Sequence, residues 1–207
     1  MRTLSTTLLA LASAAVLALT SNAAHAQAKP AAAPTTAKPA VAATLLLAQS
    51  ELGFISKQMG VPVDGKFKRF DAQLSFDPKK PEAAKVAFAI ELASATLGAP
   101  EFDAELVKAS WFDAKRVPQA TFQSTAVKAV GGGKYEVAGK LSIKGQTRDV
   151  LVPIALSQAG GTTTATGGFV LKRLEFKIGD GEWADTSMVA NDVQVKFKLA
   201  FSGIAPL

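Results

Sequence analysis

Apolar and polar side chains alternate with a period of two over most of the chain beyond Ala43, the signature of half-buried strands. In VQVKFKLAF, Val193, Val195, Phe197, Leu199 and Phe201 share one face, and Gln194, Lys196, Lys198 and Ala200 take the other. In KYEVAGKLSIKG the apolar face is Tyr135, Val137, Gly139, Leu141 and Ile143, opposed by Glu136, Lys140, Ser142 and Lys144. Val86, Phe88, Ile90 and Leu92 repeat the pattern, as do Ala120, Phe122 and Ser124, and then Val150, Val152, Ile154 and Leu156. No 3.6-residue period fits these runs as well.

Turn signals separate the runs: Asp77-Pro78 and Pro81, Gly131-Gly132-Gly133, Lys144-Gly145-Gln146, Gly160-Gly161 and Gly179-Asp180-Gly181. In residues 53–70, GFISKQMGVPVDGKFKRF, the aromatic and basic side chains fall on opposite faces. Phe67 points away from Lys66 and Lys68, while Phe70, Ala72, Leu74 and Phe76 form the next apolar face. The change of parity between Phe67 and Phe70 predicts a bulge near Arg69, which would bend the strand. One segment breaks the period. EFDAELVKASWF spaces Leu106, Val107 and Trp111 for a short helix, with Asp103 as its N-cap.

About eight strands and one short helix predict an all-β protein, an antiparallel sheet curled into a barrel or a sandwich. Parity assigns an interior of Phe54, Phe67, Phe70, Phe88, Phe122, Leu141, Ile143, Val152, Ile154, Phe169, Leu171, Phe197 and Phe201. An eight-stranded barrel is either filled by side chains or just wide enough for one small ligand. Leu106, Trp111 and Phe112 are the expected cover of one barrel end, as a movable lid or as a permanent plug, with Asp103 and Lys108 facing water.

The N-terminal region stands apart from this pattern. Arg2, the apolar run from Leu8 to Leu19 and the small-x-small Ala24-His25-Ala26 predict a cleavable signal peptide over residues 1–26. Residues 27–42, rich in Ala, Pro, Lys and Thr, read as a disordered leader, and residues 43–207 as one domain. Export to the periplasm is the expected destination. The chain has no cysteine, and its one histidine, His25, lies in the predicted signal. The mature chain is therefore expected to lack imidazole and thiolate, which removes disulfides, most zinc and copper sites, and catalysis by Cys–His or Ser–His–Asp. The net charge is +6, or +5 without Arg2, since residues 1–26 hold no acid. The lysines are dispersed among acids rather than gathered in a patch, which argues against a nucleic-acid partner.

Little in the sequence points to other chemistry. Asp, Glu, Lys, Tyr135 and several serines remain, but the acids lie in turns or opposite the apolar faces. GGGKYE leads into a strand, so it is a hairpin and not a phosphate loop ahead of a helix. Met59 and Met188, two isolated thioethers, make a poor metal site, and no metal or cofactor is expected.

Four stretches in order, SELGFISKQMGVPVDGKFKRFDAQLSFDP, WFDAKRVPQATFQST, YEVAGKLSIKGQTRDVLVPIAL and GGFVLKRLEFKIGDGEWAD, resemble the YceI-like family. The likeness runs from about Thr44 to Leu199. It implies a lipocalin-like, eight-stranded antiparallel barrel whose apolar interior holds an isoprenoid or similar long-chain lipid. Members are typically periplasmic, and some relatives are fused to or encoded near cytochrome b561-type membrane proteins. Phe102-Asp103 and Glu105 stand where many members carry an Arg-Asp pair and a nearby His. Arg173, in LKRLEF, matches a recurrent family arginine. It is expected either to touch the ligand or to be held by a carboxylate at a barrel end. The reading is a non-enzymatic periplasmic carrier of such a lipid. The alternatives are an accessory or redox partner of a cytochrome b561-type protein that uses the barrel as scaffold, and an enzyme acting on a lipid. A homodimer stays open.

Overall fold

Strands form wherever the sequence alternates. The computed structural model describes residues 42–207, so the predicted signal peptide and all but the last residue of the predicted leader lie outside the described residues. The first strand, β1 (Ala42–Leu45), begins at that last residue. After a 3-10 turn at Leu47–Gln49 the chain continues as β2 (Glu51–Gln58). Both run along one side of the last strand, β11 (Asp192–Ser202): Leu45 pairs with Phe201, and Phe54 with Val195. β3 (Val61–Phe67) and β4 (Phe70–Ser75) form a second bent stave, and β5 (Lys85–Glu91) and β6 (Ala95–Thr96) a third. Then come β7 (Gln119–Gly131), β8 (Lys134–Ile143), β9 (Gln146–Ala159), β10 (Thr162–Lys172) and β11.

Each stave pairs antiparallel with its successor in the chain, and β11 returns to β1 and β2. The result is a closed, up-and-down, eight-stranded antiparallel barrel, with α1 (Pro100–Leu106) its single α-helix among the described residues. Closure pairs most of the strand edges among the described residues, and the seam between β9 and β10 is the exception. The β9–β10 ladder runs from Ala159 and Thr162 only to Ile154 and Gly167. Beyond it the buried ring of Phe176 lies under the Arg148 guanidinium, 6.0 Å from the ring centre.

The parity change between Phe67 and Phe70 has a different cause from the bulge expected near Arg69. The strand stops altogether, and Ser94 occupies the corner. The Lys68 amide donates to the Ser94 carbonyl at 3.1 Å, and the Arg69 amide to Ser94 Oγ at 3.0 Å. Ser94 Oγ in turn donates to the Glu91 carbonyl at 2.6 Å. Ladder shifts occur elsewhere, in β7 between Ser124 and Ala126 and between Ala129 and Gly131. The first turns Val127 inward, where it is buried opposite Val137, a position that strict alternation from Phe122 would have given to a neighbour.

The inner wall is tight where aromatic rings cross neighbouring strands. Phe122 lies over Gly139: a Cβ there would stand 2.4 Å from the ring's Cζ and 2.5 Å from the Gln123 carbonyl oxygen. The second contact is with backbone and cannot be relieved by a rotamer change. Gly139→Ala is expected to cost about 1–3 kcal/mol, the usual range for overpacking. Urea unfolding with an unchanged slope would show it as a lower midpoint, and an unshifted midpoint would mean that β7 yields without cost.

Candidate functional site

The barrel is not filled. An upper chamber of about 520 Å³ opens at the end covered by α1, and a deeper one of about 140 Å³ lies beneath it. Leu52, Ile90, Leu141, Phe169 and Val195 line both, so the two are stacked in series. The strand period places this wall directly, because every second residue of each stave must face inward. All thirteen residues assigned to the interior are on it. Phe54, Phe67, Ile143 and Leu171 line the upper chamber, and Leu141 and Phe169 line both. Phe70, Phe88, Phe122, Val152, Ile154, Phe197 and Phe201 line the deeper one. Apart from the Tyr135 hydroxyl, the deep chamber has only hydrocarbon side chains.

The segment that breaks the strand period covers the upper chamber. Leu106, at the end of α1, and Trp111 and Phe112, on the turn after it, all line that chamber. The Phe112 amide donates to the Leu106 carbonyl at 3.0 Å, which folds the turn back under the helix. Phe112 packs on Phe67, and Phe67 on Phe54, at centroid distances of 5.8 and 5.5 Å. Trp111 packs on Trp183 at 5.7 Å.

Asp103 is not the N-cap expected of it. Pro100 occupies the first helical turn and Ala99 is the cap, so the helix starts earlier than the Asp103 spacing suggests. Nor does Asp103 face water freely. Its carboxylate accepts from Thr96 Oγ1 at 2.6 Å and from the Leu97 amide at 2.7 Å, which ties α1 to β6. Lys108 is exposed as expected and pairs with Glu105. The Thr96 hydroxyl first, and then the Leu97 amide, hold the Asp103 carboxyl below the usual aspartate range. A carboxyl lowered in the folded state adds stability above its unfolded value of about 3.9, and that contribution disappears as pH falls through the folded value. The destabilisation caused by Asp103→Asn should therefore be present at pH 7 and shrink at pH 3, as measured by thermal midpoints. A difference of the same size at both would contradict this coupling.

Arg173 lies at the first residue after β10, where a 3-10 turn (Arg173–Phe176) points its side chain into the barrel end. It is 1% exposed. Its partners are not a carboxylate but five backbone carbonyls. Nε donates to Ala190 at 3.1 Å, Nη1 to Ile178 at 2.9 Å and Gly179 at 2.5 Å, and Nη2 to Trp183 and Val189, both at 2.7 Å. A guanidinium has five N–H donors, so none is left for a ligand. The expectation of a polar ligand contact by Arg173 is corrected: the residue borders the upper chamber but acts as a clamp on residues 178–190. Burial pushes its pKa down. Gly179 has a φ of +62°, and a Cβ there would be 2.6 Å from Arg173 Nη1, so the clamp requires glycine.

Lys144, assigned by parity to the solvated face, is also buried. Its Nζ donates to the Lys177 carbonyl at 2.5 Å and the Ser110 carbonyl at 3.3 Å, and is 3.4 Å from Asp180. Lys144 and Gly145 both have positive φ, the conformation of a two-residue hairpin turn. The turn thereby carries the lysine out of the strand's alternation. Of the polar groups bordering the upper chamber, Ser56, Gln58, Glu105 and the indole N–H groups of Trp111 and Trp183 are outside the Arg173 clamp. Met59, Met188 and Trp183, which parity could not assign because they lie in turns, complete its mouth.

Comparison with known proteins agrees with this architecture. Among solved structures, Burkholderia cenocepacia BcnA superposes with a TM-score of 0.74 at 46% identity, covering 75% of this chain and 98% of that one. A polyisoprenoid binding domain from Saccharophagus degradans superposes at 0.64 with 17% identity, covering 82% of this chain and 100% of that domain, a likeness of fold. A UPF0312 protein of Azotobacter vinelandii is 38% identical over 88 residues, 42% of this chain and 46% of that protein. The aligned part thus spans about half the length of that curated relative. The YceI-like domain model matches residues 44–201, the whole barrel from the second residue after Ala42 to the end of β11 but one, and the chain belongs to the YceI-like family.

Proposed function

We propose that this protein is a non-enzymatic carrier or reservoir for an isoprenoid or similar long-chain lipid whose polar end is uncharged, and that it works in the periplasm after export. The observation that carries the reading is the pair of stacked apolar chambers, about 520 and 140 Å³, in a barrel otherwise closed by its own strands. A linear hydrocarbon chain is the shape that two chambers in series accept. Each methylene moved into them from water contributes about 0.8 kcal/mol, so a few isoprene units bind without any charged contact. The Saccharophagus degradans domain of the same fold is a polyisoprenoid binding domain, which supports the ligand class.

The uncharged end follows from the polar inventory of the upper chamber. The Arg173 donors are all engaged by carbonyls, Lys144 is held by the Lys177 and Ser110 carbonyls, and Lys108 is paired with Glu105. A phosphate at the chamber mouth would meet the Glu105 carboxylate and no free buried cation. Ser56 and Gln58 suit a hydroxyl or carbonyl group instead. The test is mass spectrometry of an organic extract from protein purified without denaturation. A neutral prenyl compound in near-stoichiometric amount is expected. An extract free of lipid, from a protein that also fails to bind apolar probes, would remove the reading.

A further inference from the structure

Three exposed apolar side chains, Met59, Phe102 and Met188, line the mouth of the upper chamber, and a fourth, Val61, lies two residues from Met59 on the same hairpin. Met59 is 71% exposed, Val61 63%, Phe102 56% and Met188 46%. Met59 and Val61 flank the tip of the β2–β3 hairpin, and the Met59 amide donates to the Met188 carbonyl at 2.8 Å. Met59, Phe102 and Met188 also line the chamber, so the outer patch and the inner wall are one continuous surface. The tip from Gln58 to Val63 reads QMGVPV, without a charge, and the residues on either side of it, Lys57 and Asp64, are of opposite sign. Single apolar side chains scattered over a surface are ordinary, but a contiguous patch around an opening is not.

We propose that this rim docks on a lipid bilayer, its side chains entering the boundary between headgroups and acyl chains so that the chamber opens into the membrane. The proposal rests on the lipid-carrier reading and names the place where the lipid is exchanged. A prenyl chain crossing water between bilayer and chamber would expose its methylenes at about 0.8 kcal/mol each, a barrier that contact between mouth and bilayer removes. The four apolar side chains themselves carry neither charge nor strong hydrogen-bonding groups, and the charges beside them, Glu105 and Lys108, are paired with each other. The four match the apolar face of an interfacial anchor, with the half-buried Trp111 and Trp183 behind them at the level aromatic rings favour. The near-neutral tip selects apolar insertion over attraction to anionic headgroups.

Val61 is outside the walls of both chambers, so Val61→Asp tests the rim and spares the cavity. Wild type and variant, each purified as the producing cell delivers it, are floated with phosphatidylcholine vesicles. The transfer of a dansyl-labelled prenyl alcohol from protein to vesicles is then timed. The wild type is expected to float and to transfer at a rate proportional to vesicle concentration. Val61→Asp should lose at least tenfold in both, with unchanged affinity for the probe in solution. A transfer rate independent of vesicle concentration, or equal flotation of the variant, would overturn docking and leave the carrier reading standing. A change in the variant's oligomeric state without lipid would make the rim a face between copies and would equally overturn it. Failure of the wild type to bind the probe in solution would instead remove the carrier reading, and docking with it.

Discussion

Arg173→Leu is expected to remove about 3–5 kcal/mol of folding stability, the range for breaking a buried charged interaction by deleting one partner. The leucine fits the apolar surroundings, so the loss comes from what it leaves behind. The carbonyls of Ile178, Gly179, Trp183, Val189 and Ala190 now converge on one cation, and without it they are unpaired inside the barrel end. Each buried unsatisfied polar group costs about 1–3 kcal/mol, and the loop can lower that total only by opening to water. Hydrogen exchange should therefore rise first in residues 178–190 and spread to Trp111, which packs on Trp183. Arg173→Lys keeps the charge but has three donors in place of a planar fork of five, and should recover part of the loss. If Arg173→Leu unfolds at the wild-type urea midpoint, the clamp contributes nothing and another feature holds this loop.

The division between what the sequence revealed and what it hid follows the strand period. Inside a strand, one known inward residue fixes its neighbours, which is why Phe197 and Phe201, or Leu141 and Ile143, could be placed on the cavity wall from alternation alone. The family likeness added closure of the barrel, which alternation shares with a sandwich. Where the chain leaves the strand period, alternation no longer places side chains. Lys144 follows the alternation up to its own position, and then a left-handed turn buries it under carbonyls more than thirty residues further along or back. Arg173 was recognisable as a special residue, but its partners are backbone atoms, which carry no signature in the sequence. Asp103 was misplaced for a different reason. Pro100, a good first helical residue, is the start signal that the helix uses, and the spacing from Asp103 to the apolar residues competes with it in the sequence. In the sequence, Met59 and Met188 read only as two isolated thioethers, a poor metal site. Their shared role at the mouth depends on a hairpin and a loop that meet in space, although the uncharged run from Gln58 to Val63 was there to be read.

Ala165→Phe is expected to shorten the chain that the barrel accepts. Ala165 is buried on β10 between Leu199 of β11 and Leu156 of β9, and its methyl group faces the deep chamber. A phenyl ring built from that position extends into about 140 Å³ of apolar space and takes most of it. A ligand confined to the upper chamber has no contact there to lose. One that reaches past the residues common to both chambers, Leu52, Ile90, Leu141, Phe169 and Val195, forfeits the burial of its terminal isoprene unit, worth about 3–4 kcal/mol in gross terms. Relaxation of the wall will return some of this, so the affinity for a long prenyl alcohol should fall at least ~10-fold, equivalent to about 1.4 kcal/mol. Farnesol, if the upper chamber holds it whole, should bind as before. The extract from the purified variant should shift to shorter chains, while a thermal midpoint near that of the wild type shows that the ring fits without the overpacking penalty of about 1–3 kcal/mol. Equal losses for long and short ligands would mean that the two chambers are not occupied in series by one chain.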